Sequence, residues 1–401
     1  MNVRSSDTYW LSRDPVPTRY SSLRRAVDCD VLIIGGGITG ALVAYELVEA
    51  GINTILIDKR EVAHGSTAAS TAMIQYEMDV PLHQLIDQIG ETDAVLSYTL
   101  CLRALNRLAE VAKKMDASGR FHRQESLYFA AQCEDIDELK EECITRSRYG
   151  FPVNWLDQKA LWQQFGLVAA GGILSSAGAE LDPFAFTQRL LLYLTRQGLQ
   201  VFEHTAAEAL TYLEQGVQVQ TSQGTTITAK KVVYATGYEV PERLVEANDI
   251  TMLSTYALVT APIPHLTERV KNTLLWDTAH PYFYARSSGG NRLLLGGGDE
   301  DLVEAGQRDK LIPQKQQQLL DRFNELFPDV PATAELTWAG TFAETKDGLP
   351  YIGEHPRYPH SYYALGFGGN GITFSLIAAT VIRNLYQHGH CDYARLFRFG
   401  R

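Results

Sequence analysis

The sequence predicts an α/β fold that opens on a Rossmann-type dinucleotide-binding unit and carries a largely antiparallel second lobe. Three observations predict it. A glycine-rich turn separates two apolar runs within residues 31–57, and a period-two stretch follows at 200–237. A second glycine-rich loop, near the C-terminus, then runs into an apolar helix pattern.

The first unit divides into strand, loop, helix and strand. Residues 31–34 form a short apolar run suited to a strand buried on both faces. Gly35-x-Gly37-x-x-Gly40 follows at once, residues 41–50 carry a helical period ended by Gly51, and residues 52–57 close on Asp58. Gly35 permits the tight turn, Gly37 lets backbone approach a pyrophosphate, and Gly40 lets the helix pack on the strand. Ile38 and Thr39 open the helix, where free N–H groups suit phosphate oxygens. Asp58 stands roughly 20 residues after the first glycine, where a carboxylate accepts a ribose hydroxyl, and Lys59 and Arg60 follow it. The acid argues against a 2′-phosphate, hence against NADP; the motif alone does not separate NAD from FAD.

Further along, HGSTAASTAM (64–73) is small and polar, and its Ser66, Thr67, Ser70 and Thr71 suit a helix cap. Residues 81 to about 154 read as helices with a strand at 126–131. GVQVQT and TTITA alternate around Gln215-Gly216 and Gln223-Gly224 as a β-meander, which runs into a buried strand at 232–234 and then the small residues Ala235-Thr236-Gly237. TYALVTAPI, PYFYARSS and RLLLGGG, within 241–344, fit an antiparallel sheet. Tyr256, Trp276, Tyr282, Phe283, Tyr284 and Trp338 cluster there; most of them pack on the sheet, with about two or three facing a pocket. In the tail, Asp347-Gly348 makes a turn between 241–344 and short strands at 351–353 and 362–365. ALGFGGNGITFS then places Gly366, Gly368, Gly369 and Gly371 ahead of a helix at 372–385.

Composition narrows the function classes. The 401 residues are 45% hydrophobic and 21% charged, an ordinary globular balance with room for two to three structural domains. Net charge is −11 and the Lys and Arg residues form no stripe, which argues against nucleic acid as a partner. The five cysteines are scattered without a C-x-x-C pair, so neither a disulfide framework nor a zinc site is expected, and a reducing cytoplasm fits. Arg24-Arg25 ahead of the uncharged run 31–45 imitates a twin-arginine signal. Asp28 and Asp30 interrupt it, and the run is too short and glycine-rich for a transmembrane segment. None of the ten histidines stands in a triad pattern, and His388-Gly-His390 reads as a solvated tail, so no metal is expected.

By these motifs and their order, over nearly the whole chain, the sequence resembles the FAD-dependent amine and amino-acid oxidoreductase family of D-amino-acid oxidase, glycine oxidase and sarcosine oxidase. Within it, the gamma-glutamylputrescine oxidoreductase-like branch is the most similar in look. The resemblance implies an FAD-binding domain assembled from 1–80, 155–240 and 345–401, and a substrate domain from 81–154 and 241–344. It implies that the N-terminal motif holds the ADP half of FAD and that Gly65, Ser66, Thr67, Thr71 and Ala72 pass near the flavin end. Ala207, Thr236, Gly237 and Gly340 join the cofactor residues, and Gly368, Gly369, Asn370, Gly371, Ile372 and Thr373 meet the isoalloxazine ring and ribityl chain. Helix N-terminal amides at that loop would stabilise the negative charge of a reduced flavin.

Departures from the family pattern bear on the substrate. The arginine that clamps an α-carboxylate in glycine and D-amino-acid oxidases matches Phe342, and the arginines of sarcosine oxidases match Ala72 and Gln75. Arg286 is left as a clamp candidate, against the blander reading of a surface arginine at a strand end. Tyr256, Tyr284 and Phe342 are candidates for the pocket wall. The cysteine that attaches FAD in monomeric sarcosine oxidases matches Gly340, so the resemblance implies noncovalent FAD. Their oxygen-activating lysine matches Thr373, which leaves oxidase against dehydrogenase, and O2 against another acceptor, open. The expected activity is oxidation of a small amine by hydride transfer to flavin N5, giving an imine that hydrolyses. The rival expectations are a D-amino-acid or N-methyl amino-acid oxidase or dehydrogenase, an NAD-dependent dehydrogenase, and an FAD-binding assembly factor without turnover.

Overall fold

A computed structural model describes residues 2–13, 18–115, 121–239, 250–301 and 304–401. The apolar run after Arg25 becomes the strand Val27–Ile34, which pairs in parallel with Thr54–Ile57 on one side and Thr226–Tyr234 on the other. Leu32 and Ile33 are wholly buried, each in a different apolar cluster, because the sheet is covered on both faces. Gln200–Phe202 continues the parallel set beyond Thr54–Ile57, and Tyr358–Leu365 beyond Thr226–Tyr234. The meander Ala207–Leu213 and Gly216–Thr221 joins Thr226–Tyr234 antiparallel, as the alternation predicted, and Tyr351–His355 closes the other edge.

A second sheet, nine-stranded among the described residues, runs from Ala334–Thr345 through Ile250–Thr260, Arg292–Asp301, Phe283–Gly289, Thr273–Asp277, Phe121–Phe129 and Gly171–Leu181 to Met73–Gln75. Its pairings are antiparallel except that between Thr273–Asp277 and Phe121–Phe129. Met73–Gln75 and Gly171–Leu181 therefore belong to this sheet, although the expected boundaries put 1–80 and 155–240 in the first lobe. The boundary at 154/155 also falls inside the strand Val153–Asp157, and that at 344/345 inside Ala334–Thr345. Strand pairing, which is non-local, decided these memberships. The boundary at 240/241 lies outside the described residues.

Two helices fix the centre of the molecule. Ile38–Glu49 leaves the first glycine turn and Gly371–His388 leaves the second, and they pack together in one core. Thr39 Oγ1 and Ser375 Oγ share a buried hydrogen bond of 2.8 Å, and one helical stretch further along both, Arg383 pairs with Glu46. The helices therefore run parallel, with both N-termini at the same end.

Gly40 shows how close this packing is: a β-carbon there would lie 1.9 Å from Gly35 O. Gly40→Ala is expected to cost at least about 2 kcal/mol of unfolding free energy, by forcing helix and strand apart. Denaturant titration reads it, and a loss below about 0.5 kcal/mol would mean that the contact is dispensable.

Candidate active site

A cavity of about 830 Å³ opens where Val27–Ile34 and Thr226–Tyr234 end, and takes its walls from both sheets. Gly35 turns the chain at φ 115°, and a β-carbon on it would lie 2.3 Å from Ala235 O, so only glycine lets the two strand ends meet here. Gly37 starts the helix without a side-chain cap, and a β-carbon there would stand 3.0 Å from Thr67 Oγ1. That hydroxyl accepts the Ile38 N–H at 3.0 Å, so HGSTAAST caps the neighbouring dinucleotide helix and itself forms only the short 3₁₀ turn Ser66–Ala69.

Asp58 accepts the Gly36 N–H at 2.7 Å through Oδ2 and the Arg60 N–H at 2.7 Å through Oδ1. Burial raises its pKa, these hydrogen bonds oppose the rise, and each oxygen keeps a second lone pair for a ligand hydroxyl. Arg60 forks onto Glu239 at 2.9 and 3.2 Å, and Lys59 reaches the same carboxylate at 3.0 Å. Burial pushes Glu239 up, but Arg60 and Lys59 hold it below the usual carboxylate range.

The cavity wall brings together most of the expected cofactor residues: Gly35, Gly37, Ile38, Thr39, Asp58, Lys59, Arg60, Gly65, Ser66, Thr67, Thr71 and Ala72 from the first lobe, then Ala207, Thr236, Gly237, Gly340 and residues 368–372. Thr236 Oγ1 is buried there without a hydrogen-bond partner. Gly40 stands behind the wall as a packing residue. Thr373 also stands off it: its hydroxyl is buried and donates to Gln75 O at 3.0 Å, because the first helical turn faces the Met73–Gln75 strand. The residues present fit a dinucleotide, with an open glycine cradle, two helix starts whose own first residues, Gly37 and Asn370, supply no cap, and an acid at the end of the second strand.

Of the substrate candidates, Tyr284 and Phe342 line the cavity. Tyr256 does not: it is fully buried in the core of the second sheet, and its hydroxyl donates to Arg308 O at 3.3 Å. Arg286 is neither a clamp nor a surface residue. It is 2% exposed, donates to Thr71 O, Ser287 O and Leu181 O at 2.5, 2.8 and 3.0 Å, and lies over the Trp10 ring. These three carbonyls and Glu180, 3.4 Å from its Nη1, engage the guanidinium inside the protein, so it ties the 64–73 segment to the second sheet.

Three carboxylates without a motif also meet here. Asp79 Oδ2 accepts the Gly369 N–H at 2.9 Å, so one amide of the second glycine loop serves an acid. Glu344 lines the same cavity, and Asp299 takes a hydrogen bond from the cavity-lining Thr255. Burial raises all three; the charge of Asp79 raises Asp299 further to about 6, and Asp79 and Asp299 together lift Glu344 to about 7. Tyr238 and Tyr282 complete the group, with Tyr238 Oη donating to Gly368 O at 3.5 Å. One signal for Glu344 was in the sequence: Gly340, Phe342 and Glu344 share a strand face by period two. Asp79 sits in a loop and carried none.

Comparison with known proteins agrees with this geometry. Residues 30–385 match the profile of the family described as FAD dependent oxidoreductase (DAO). Glycine oxidase of Geobacillus kaustophilus is 26% identical over 378 residues, covering 89% of this chain and 93% of that protein. Its crystal structure superposes with a TM-score of 0.74 at 22% identity, over 91% and 96% of the two chains. Gamma-glutamylputrescine oxidoreductase of Escherichia coli is 23% identical over 379 residues, 92% of this chain and 86% of that one. With YhfW of Bacillus subtilis the match is 26% over 201 residues, half of this chain and 38% of that longer protein.

The raised Glu344 makes stability fall with pH. Its carboxyl is neutral in both states at low pH. Once pH passes the ordinary carboxylate range the unfolded chain ionises first, so folding stability drains away up to about pH 7 and stays lost above it. Glu344→Gln removes that loss. Its melting temperature relative to wild type is expected to rise between pH 5 and about pH 7.5, measured by thermal scans; a difference constant with pH would contradict the cluster.

Proposed function

The chain belongs to the FAD dependent oxidoreductase (DAO) family, and on that footing we propose that it oxidises a C–N bond of a small amine rather than an α-amino acid. One observation carries this reading: among the described residues the cavity wall holds no arginine available for a carboxylate. Arg60 is forked onto Glu239, Arg286 is consumed behind the wall, and Phe342 occupies the matched clamp position. The remaining wall cations are Lys59, also on Glu239, His83, held by Glu142 at 2.8 Å, and the exposed Lys346. A substrate carboxylate would meet Asp79 and Glu344 instead, and like charge in a desolvated site is costly.

Gly35, Gly37 and the start of Ile38–Glu49 would hold the pyrophosphate of FAD, Asp58 the ribose, and residues 368–372 the ring. When bound, FAD supplies the hydride acceptor for the carbon next to nitrogen, leaving an imine that water hydrolyses. The chain's own part is orientation, exclusion of water and proton handling. An ammonium holds its nitrogen lone pair, so the substrate must shed a proton before reaction. Glu344, held near pKa 7, suits that proton transfer, being ionised enough to take a proton near neutrality yet basic enough to keep it. Tyr282 and Tyr284, both raised by burial, stay neutral and wall the site.

Gly340 in place of a cysteine supports noncovalent FAD. Five unpaired cysteines support a reducing compartment such as the cytoplasm. Among the described residues no helix is long and apolar enough to cross a membrane.

Anaerobic mixing of the purified holoenzyme with a panel of amines and amino acids tests the activity. Amines are expected to bleach the flavin and α-amino acids are not; the opposite pattern would overturn the proposal, and no bleaching by any donor would favour a protein without turnover. Oxygen admitted afterwards distinguishes oxidase from dehydrogenase by the rate of reoxidation. A second expectation concerns the loop. Gly368 has φ 57°, and a β-carbon there would lie 2.5 Å from Asp79 Oδ2, so Gly368→Val should lose FAD or lower its reduction potential. Unchanged FAD content and potential would remove this loop from the cofactor site. Acid precipitation should leave a colourless pellet, with the yellow FAD in the supernatant.

A further inference from the structure

The acids beside the second glycine loop outnumber the charges that could balance them. Asp79, Glu344 and Asp299 arrive from three different segments, and their charges act on one another. Among the described residues Asp79 has the Gly369 amide, Asp299 has the Thr255 hydroxyl with its Oδ1 unpartnered, and Glu344 has no hydrogen bond or ion pair. Lys315 bears on Asp299 alone; it pairs with Glu300 and lies 5.4 Å from the Tyr256 ring centroid. Glu77, 3% exposed, also lines the cavity but stands apart from this group, since Arg146 lies 3.7 Å from its Oε1. No three of these acids are gathered as a metal site among the described residues.

Aromatic faces accompany the acids. Tyr282 and Tyr284 tilt against each other with ring centroids 5.9 Å apart. A β-carbon on Gly369 would fall 3.0 Å from Tyr282 Oη and 2.7 Å from Asp79 Oδ1, so tyrosine, acid and glycine loop converge on one spot. Tyr238 reaches the same loop. Carboxylates backed by tyrosine rings form a surface complementary to an organic cation, which gains charge pairing and cation–π contact together.

Resting on the amine reading, we propose that this cage holds an ammonium that stays charged throughout turnover, so that the substrate is a dication: a diamine or polyamine. Charge balance carries the second cation. The reacting nitrogen gives up its proton to become an amine, R–CH2–NH3⁺ + Glu–COO⁻ → R–CH2–NH2 + Glu–COOH. A monoamine then leaves the remaining carboxylates facing one another in a desolvated site. A second ammonium, several methylenes away and never deprotonated, balances them from binding to product. Asp79 and Asp299, the carboxylates that remain once Glu344 has taken the proton, are then the residues that set specificity.

The test compares α,ω-diaminoalkanes of three to six carbons with alkylmonoamines of the same lengths, in anaerobic stopped-flow reduction of the holoenzyme, where apparent Kd and limiting rate separate. Calorimetric titration with a bis(trimethylammonio)alkane, which lacks an N–H and cannot be oxidised at nitrogen, reads the cage without turnover; the alkyltrimethylammonium of equal length is its control. Dications are expected to bind about tenfold or more tighter than their controls, and Asp79→Asn and Asp299→Asn to erase most of that advantage while FAD content stays normal. Equal binding of single and double cations, or an advantage untouched by both variants, would overturn the cage while leaving amine oxidation standing. Tight dication binding without flavin reduction by any amine would sustain the cage and overturn the amine reading.

Discussion

The structure depends on one contact between two helices that are far apart in sequence. Ile38–Glu49 and Gly371–His388 each leave a glycine loop, and the buried Thr39–Ser375 hydrogen bond with the Glu46–Arg383 pair sets them parallel and in register. Their N-termini therefore face one cavity from neighbouring positions, and the positive ends of two helix dipoles act on the same space. Glycine is required on both sides for different reasons. At Gly35 and Gly40 backbone touches backbone, whereas at Gly368 and Gly369 the space is taken by the side chain of Asp79.

That shared space is polarised along its length. At one end Asp58, Lys59, Arg60 and Glu239 neutralise one another, which suits a ligand held by hydrogen bonds and backbone amides. At the other, carboxylates stand together without a matching arginine. A buried network beneath that end shows how the fold treats acids it does intend to neutralise. Arg146, wholly buried among Tyr76, Tyr98 and Tyr128, donates to Glu142 at 2.5 Å and lies 3.7 Å from Glu77. Glu142 also accepts from the Leu82 and His83 amides, and against the cost of burial these partners hold it down to about 2. The same chain leaves Glu344 near 7. The contrast separates acids that staple the segment after Asp79 to the helix Ile136–Arg148 from acids that no arginine pairs among the described residues.

Arg286 illustrates how a residue type can mislead. An arginine on a strand beside aromatic residues matched the chemistry of a carboxylate clamp, yet a guanidinium has five donors and backbone carbonyls compete for them equally well. Here Thr71, Ser287 and Leu181 take three of them, Glu180 stands 3.4 Å from Nη1, and the side chain becomes a brace between the small polar segment and the second sheet. Thr373 and Tyr256 were displaced for a related reason. Each sits on an element that does border the cavity, but a helix turn or a strand's alternation aims its side chain at protein.

By itself the sequence determined the dinucleotide unit, the meander, the second glycine loop and most of the wall that these segments build, because each is local. A strand, a tight turn and a helix start are encoded within a few residues whose spacing states their geometry. Only the tertiary structure decided that Met73–Gln75 and Gly171–Leu181 join the second sheet, that Arg286 is spent on buried carbonyls and Glu180, and that Asp79, Asp299 and Glu344 act on one another. Those outcomes depend on which strands pair and which side chains meet across more than 200 positions of chain, as Asp79 and Gly369 do. Burial and mutual charge, the two effects that give the acids their character, exist only once that meeting has happened.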